Sequence, residues 1–140
     1  MSEENKAIVR HFVKLAQGSG PEASMAAIDE YIAPDFKDHS AVGVPPTREG
    51  VKMTFGALWA GMPDMKCTIH EQIAEGDKVV TRKTLSGTNT GDLFGVPATG
   101  KHIDLQVIDI LRIKDGKLVE HWNIVDQMGL MQQLGVIPAN

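Results

Sequence analysis

The chain has 140 residues, 42% of them hydrophobic and 23% charged, with a formal net charge of −4 at pH 7 and an isoelectric point near 5.7. That length and apolar content fit one domain with one core and argue against disorder, while scattered Lys and Arg on an acidic chain argue against a nucleic-acid surface. No apolar run approaches the roughly 20 residues of a membrane span, and MSEENKAIVR has no signal-peptide core, so a cytoplasmic protein without a membrane partner is expected.

Residues 3–17 read as an amphipathic helix, with Ile8, Phe12, Leu15 and Ala16 at helical spacing and Gly18 placed to end it. Pro21 suits the first turn of a second helix over 22–32, which Pro34 stops. A short extended segment, Asp35 to His39, leads into the loop Gly43-Val44-Pro45-Pro46. Thr47 is a plausible N-cap for a third helix over 47–61, whose Val51, Phe55, Leu58, Trp59 and Met62 share one apolar face.

From Met65 onward the period changes from 3.6 to 2. Strands over 65–74 and 78–88 meet across Glu75-Gly76-Asp77, and 89–101, rich in Gly, Thr and Pro, reads as a long loop. Strands over 102–113 and 117–126 meet at Asp115-Gly116, a strong two-residue hairpin signal. A short helix over 128–134 is closed by Gly135. Helices followed by a strand meander predict an α+β fold, with an antiparallel sheet and no βαβ repeat.

Cys67 is the sole cysteine, so an internal disulfide is impossible, and its alternating surroundings read as a small buried hydrophobe. No His, Cys or carboxylate spacing suggests a metal site. No serine sits in a nucleophile elbow, and the glycine-rich stretches open no helix that could bind phosphate.

The last hairpin carries the chemistry. A regular two-residue turn sets Ile113 opposite Leu118, Leu111 opposite Glu120, Asp109 opposite Trp122 and Val107 opposite Ile124. One face then holds Leu105, Val107, Asp109, Leu111, Glu120, Trp122, Ile124 and Asp126, an apolar face interrupted by three carboxylates. A carboxylate among such neighbours is costly unless it is partnered or neutral, and desolvation raises its pKa toward a useful acid/base range. Asp126 also reads as a helix cap, and a one-residue bulge would turn Glu120 outward. Asp109, with no Lys or Arg expected on its face, reads as a neutral acid that can donate to a developing oxyanion. His39, at the end of the short strand, can look into a cavity mouth.

The succession Phe36-Lys37-Asp38-His39, Met62-Pro63-Asp64, Ala74 to Val80, Ser86-Gly87-Thr88, Gly95 to Lys101, Glu120 to Asp126 and Gly129 to Gly135 resembles the SnoaL-like polyketide cyclases, or ester cyclases, of the nuclear transport factor two-like superfamily. The resemblance implies a cone of three N-terminal helices packed on a curved antiparallel sheet around one pocket. It also implies ring closure by intramolecular aldol condensation without metal or cofactor, a late-strand carboxylate serving as acid/base. Glu120 is the best match for that group and Asp126 its rival. The ketosteroid isomerases of the same superfamily offer a second mapping, with His39 at the place of the base and Asp109 at that of a protonated acid.

The expectation is one SnoaL-like domain over 1–140, a cofactor-independent acid/base enzyme acting on a hydrophobic, carbonyl-bearing small molecule by cyclisation or isomerisation. Glu120, Asp109, His39 and Asp126 are its catalytic candidates, and Trp122, Trp59, Phe55, Phe12 and Gln106 its substrate contacts. Epoxide or ester hydrolysis and a non-catalytic ligand-binding dimer are the alternatives. A homodimer or tetramer is expected through the face bearing Ile108, Ile110, Arg112, Val119, His121 and Asn123, which carries too many apolar residues for solvent.

Overall fold

The computed structural model describes residues 2–138. Helices α1 (Ser2–Gly18) and α2 (Pro21–Tyr31) lead into strand β1 (Ile32–Asp38) and helix α3 (Arg48–Gly61). Strands β2 (Lys66–Glu75), β3 (Lys78–Thr88), β4 (His102–Lys114) and β5 (Lys117–Val125) and helix α4 (Gln127–Leu134) follow. Each element falls within a residue or two of its expected bounds, except that β1 starts at Ile32, three residues before the expected Asp35. One local detail differs, for Thr47 stands at the α3 N-cap without a side-chain cap bond, whereas Asp126 caps α4 as one of its two readings expects, accepting from the Gly129 amide at 2.9 Å.

The sheet runs β1-β5-β4-β3-β2, and its β2 to β5 portion is an antiparallel meander. β1 joins at the edge parallel to β5, so the expected antiparallel sheet acquires one parallel pair. Pro34, which has no amide to donate, is tolerated on such an edge strand. The β4–β5 turn is as expected: Lys114 pairs with Lys117, and Asp115 (φ 52°) and Gly116 (φ 76°) are both left-handed, as a type I′ hairpin demands.

α1 packs across β2 and β3, and α3 lies over β1. The Trp59 indole donates to the Ala16 carbonyl at 3.2 Å and ties α3 to the end of α1. One core cluster, with Val9, Phe12, Ile28 and Leu118, fills the end under α1 and α2; a second, with Trp59, Met62, Ile103 and Leu130, fills the end under α3 and α4. Each fully buried aliphatic side chain contributes about 1.5–3 kcal/mol, enough to hold the concave sheet open between the clusters. Among the described residues no helix is long and apolar enough to cross a membrane.

Candidate active site

Between α1, α3, β1 and the inner faces of β3 to β5 lies a cavity of about 630 Å³. That is within the range of small-molecule sites. Its walls are largely apolar, and Phe12 on α1 and Phe55 on α3 line it as expected. Val42 and Met53 fringe it and are strongly exposed, as is Phe94 of the β3–β4 loop, so the cavity has an apolar rim.

What points into it is decided by one residue. Ile113 pairs with Leu118, but Arg112 pairs with Glu120, so Val119 is the extra residue of a β-bulge. Because side chains alternate with period 2, everything on β5 beyond that point changes face. The expected inner residues Glu120 and Trp122 lie outside the cavity, and His121, Asn123 and Val125 line it instead. The bulge lets the Glu120 carboxylate escape an apolar face and pair with Arg112. The same flip corrects the expected outer face, which retains Ile108, Ile110 and Arg112 but exchanges His121 and Asn123 for Trp122 and Ile124.

His121 meets a partner that local sequence could not reveal. The parallel β1–β5 register sets Asp38 beside His121, with Asp38 Oδ1 3.0 Å from His121 Nδ1. A carboxylate acceptor fixes the proton on Nδ1 and leaves Nε2 with a lone pair, for which no hydrogen-bond partner exists among the described residues. Burial pushes the Asp38 carboxyl up, but the His121 hydrogen bond and charge, the Ser40 amide at 3.0 Å and nearby His39 outweigh it. The Asp38 pKa is therefore held below the ordinary carboxylate value. Ser40 also accepts from the Asn123 amide at 2.8 Å, and the His39 amide donates to the His121 carbonyl at 2.9 Å, so the loop after β1 is laced to β5.

A second polar pair crosses the sheet. Thr81 on β3 lies opposite Asp109 on β4, and Lys83, two residues further on the same face, reaches it: Nζ to Oδ2 is 2.6 Å, both side chains 4% exposed. The sequence reading gave Asp109 no cationic partner. Lys83 supplies one, so an ion pair stands where a neutral acid was expected. Asp109 Oδ1 has no partner among the described residues, and neither does Oε1 of Gln17, which lines the same cavity from α1.

The remaining candidates are scattered. His39 is on the outside, with Nε2 2.7 Å from Glu120 Oε2 and its ring stacked on Trp122 at 4.7 Å between centroids. Hydrogen bonds from His39 and then Arg112 hold the Glu120 carboxyl below its usual pKa. Gln106 faces outward and accepts from Thr84 at 2.8 Å, Trp59 is a buried strut, and Asp126 is the α4 cap. Of the four catalytic candidates, only Asp109 lines the main cavity. Asp38, Lys83, His121 and Asn123 were missed as site residues. Lys83 had left a signal, for it sits between Val79 and Leu85 on an alternating apolar face. Cys67, near this pair, has its thiol pushed up by burial, so it is no activated nucleophile.

The family model described as SnoaL-like polyketide cyclase matches residues 10–134. The chain is 27% identical over 132 residues to the aklanonic acid methyl ester cyclase DauD of Streptomyces sp. (strain C5), covering 91% of this chain and 80% of that one. It is 28% identical over 111 residues to the nogalonic acid methyl ester cyclase of Streptomyces nogalater, covering 77% of this chain and 83% of the relative. Among solved structures, TsrD from Streptomyces laurentii superposes with a TM-score of 0.81 at 29% identity, over 94% of this chain and 97% of that chain. With the family match running from α1 to the end of α4, the chain belongs to the SnoaL-like polyketide cyclase family.

Proposed function

We propose that the protein closes a carbon ring in a polyketide-type ester, with the Asp38–His121 pair as its acid/base machinery. His121 Nε2 takes a proton from a carbon next to a carbonyl. Asp38 holds the ring orientation and stabilises the imidazolium that results. Asn123 lies two residues along β5 on the same face, about 7 Å away between Cα atoms, and its side-chain amide makes no hydrogen bond among the described residues. It is placed to donate to the carbonyl oxygen as that becomes an enolate. The carbanion attacks a second carbonyl of the same molecule; a C–C bond forms, and the new alkoxide recovers the proton from His121. Atoms and electrons balance without a co-reactant. A substrate seated against the largely apolar walls displaces water, strengthening these electrostatic contacts and protecting the enolate.

One observation carries the reading: within an apolar cavity, a histidine is held through Nδ1 by a carboxylate while its Nε2 is unpartnered. The relatives' names supply the first substrates to try. The purified protein is incubated with aklanonic acid methyl ester and nogalonic acid methyl ester, and ring closure is followed by absorbance and mass-neutral change in chromatographic retention. Closure above the uncatalysed rate, abolished in His121→Ala, supports the proposal; closure unaffected by that substitution contradicts it. The proposal includes a homodimer through the outer sheet face, supported by Ile108 and Ile124, 48% and 78% exposed, beside Trp122.

A further inference from the structure

We infer that the Lys83–Asp109 pair, with Gln17, forms a specificity subsite for a substrate hydroxyl free of an internal hydrogen bond, remote from the reacting carbon. This rests on the cavity being a substrate site and deepens that reading by naming a feature of the substrate. The starting point is unfinished hydrogen bonding. Asp109 is buried among apolar residues, its Oδ2 is taken by Lys83, and Oδ1 is left without a partner. Lys83 Nζ carries three N–H donors and has one partner among the described residues. A buried charged group with open hydrogen-bonding capacity is costly unless something completes it. Both side chains line the cavity, as does the equally buried Gln17 with its unpartnered Oε1.

The complement is specific. An open carboxylate oxygen requires a donor, and the open ammonium N–H groups beside it require an acceptor. One ligand group satisfies both: a hydroxyl free of an internal hydrogen bond, as in a phenol placed away from any carbonyl. Its O–H donates to Asp109 Oδ1 and its oxygen accepts from Lys83. Gln17, as acceptor or donor through its amide, serves a further oxygen. Place matters as well. Asp109 is opposite Asn123 on β5 and Thr81 on β3, with His121 and Lys83 on opposite diagonals. The subsite therefore begins one strand spacing across and two residues along from the proposed base, about 8 Å between the Cα atoms of Asp109 and His121. A fused-ring hydroxyaryl ketone spans that distance; a small acyclic diketone does not.

The test is binding, which does not depend on turnover. Full-length protein is titrated with 2-hydroxyanthraquinone, whose hydroxyl has no carbonyl within reach, and with 2-methoxyanthraquinone, which keeps the ring system but has no donor. Binding is followed by the visible absorbance band and tryptophan quenching. The hydroxy probe is expected to bind at least about tenfold tighter, and its band to shift with hydrogen bonding. The Lys83→Met/Asp109→Leu double variant, which replaces the pair by apolar groups of similar volume, is expected to bind the two probes equally. His121→Ala is expected to keep the wild-type preference even if it closes no ring, so failure of the catalytic proposal and failure of this subsite are told apart. Equal affinity of the wild type for both probes, or no binding of either up to its solubility limit, overturns the inference. So does a preference that persists in the double variant.

Discussion

Two pairs of consecutive residues, Asp38-His39 at the end of β1 and Glu120-His121 on β5, produce two histidine–carboxylate pairs that cross the sheet edge in opposite senses. Asp38 meets His121 inside the cavity; His39 meets Glu120 outside it. The chemistry of the partners is nearly the same, and the surroundings differ. The outer histidine has Glu120 on Nε2 and Trp122 against its face, while Arg112 and Asp77 extend the network into solvent. Among the described residues each histidine has one nitrogen engaged and the other open, but of the two only His121 lines the cavity. A carboxylate beside a histidine is thus no sign of catalysis by itself. An open nitrogen lining a largely apolar cavity is what supports the proposed role of His121.

Breaking the inner pair should have the largest effect. His121→Ala is expected to lower kcat/KM by about 10²–10⁴, the usual worth of a general acid/base, while His39→Ala changes it by less than about threefold. A comparable loss in both variants would erase the distinction.

The same contrast holds for the ion pairs. Lys83→Met leaves a buried carboxylate without its cation and should cost about 3–5 kcal/mol in chemical denaturation, whereas the double change Lys83→Met/Asp109→Leu should recover most of it. If the double variant is as unstable as the single, the pair is not behaving as a buried ion pair.

Asp38→Asn is a finer cut. It keeps the shape but can present a donor to Nδ1, favouring the wrong tautomer, and kcat should fall by about 10–10³ with KM little changed. The linkage sign also follows. Because its folded pKa is depressed, Asp38 contributes stability that is present above the ordinary carboxylate value and lost as pH falls through the lower, folded one. The wild type should therefore lose more stability than Asp38→Asn over that acid window, and equal losses in thermal melts would argue against the interaction.

The smallest effect is expected outside. Glu120→Gln keeps hydrogen bonding on an exposed face and should leave the melting temperature within about 2 °C and the rate within about twofold.

Much of this molecule is legible in its sequence, for reasons particular elements make plain. Asp115-Gly116 names its own turn type, α1 and α3 announce their inner faces through Phe12 and Phe55, and Asp126 has the position of a cap. The cavity's polar half was less accessible. The bulge at Val119 leaves no glycine to mark it, yet it inverts the rest of β5 and exchanges Glu120 and Trp122 for His121 and Asn123. Asp38 depends on a parallel pairing between segments more than 80 residues apart in sequence, 83 for Asp38 and His121, which no local pattern encodes. Lys83 was visible on an apolar stripe, but only the β3–β4 register turns that position into a partner for Asp109.

The most direct test of the central claim is the protonation of His121 itself. Nitrogen-15 NMR of the histidine side chains at about pH 8, where an ordinary imidazole is neutral, distinguishes the two tautomers, and His121→Ala assigns the signals. The account predicts a proton on Nδ1, bonded to Asp38, with Nε2 bare, and loss of that pattern in Asp38→Asn. A proton resident on Nε2 in the wild type would contradict it, because the nitrogen facing the substrate could not then act as the base.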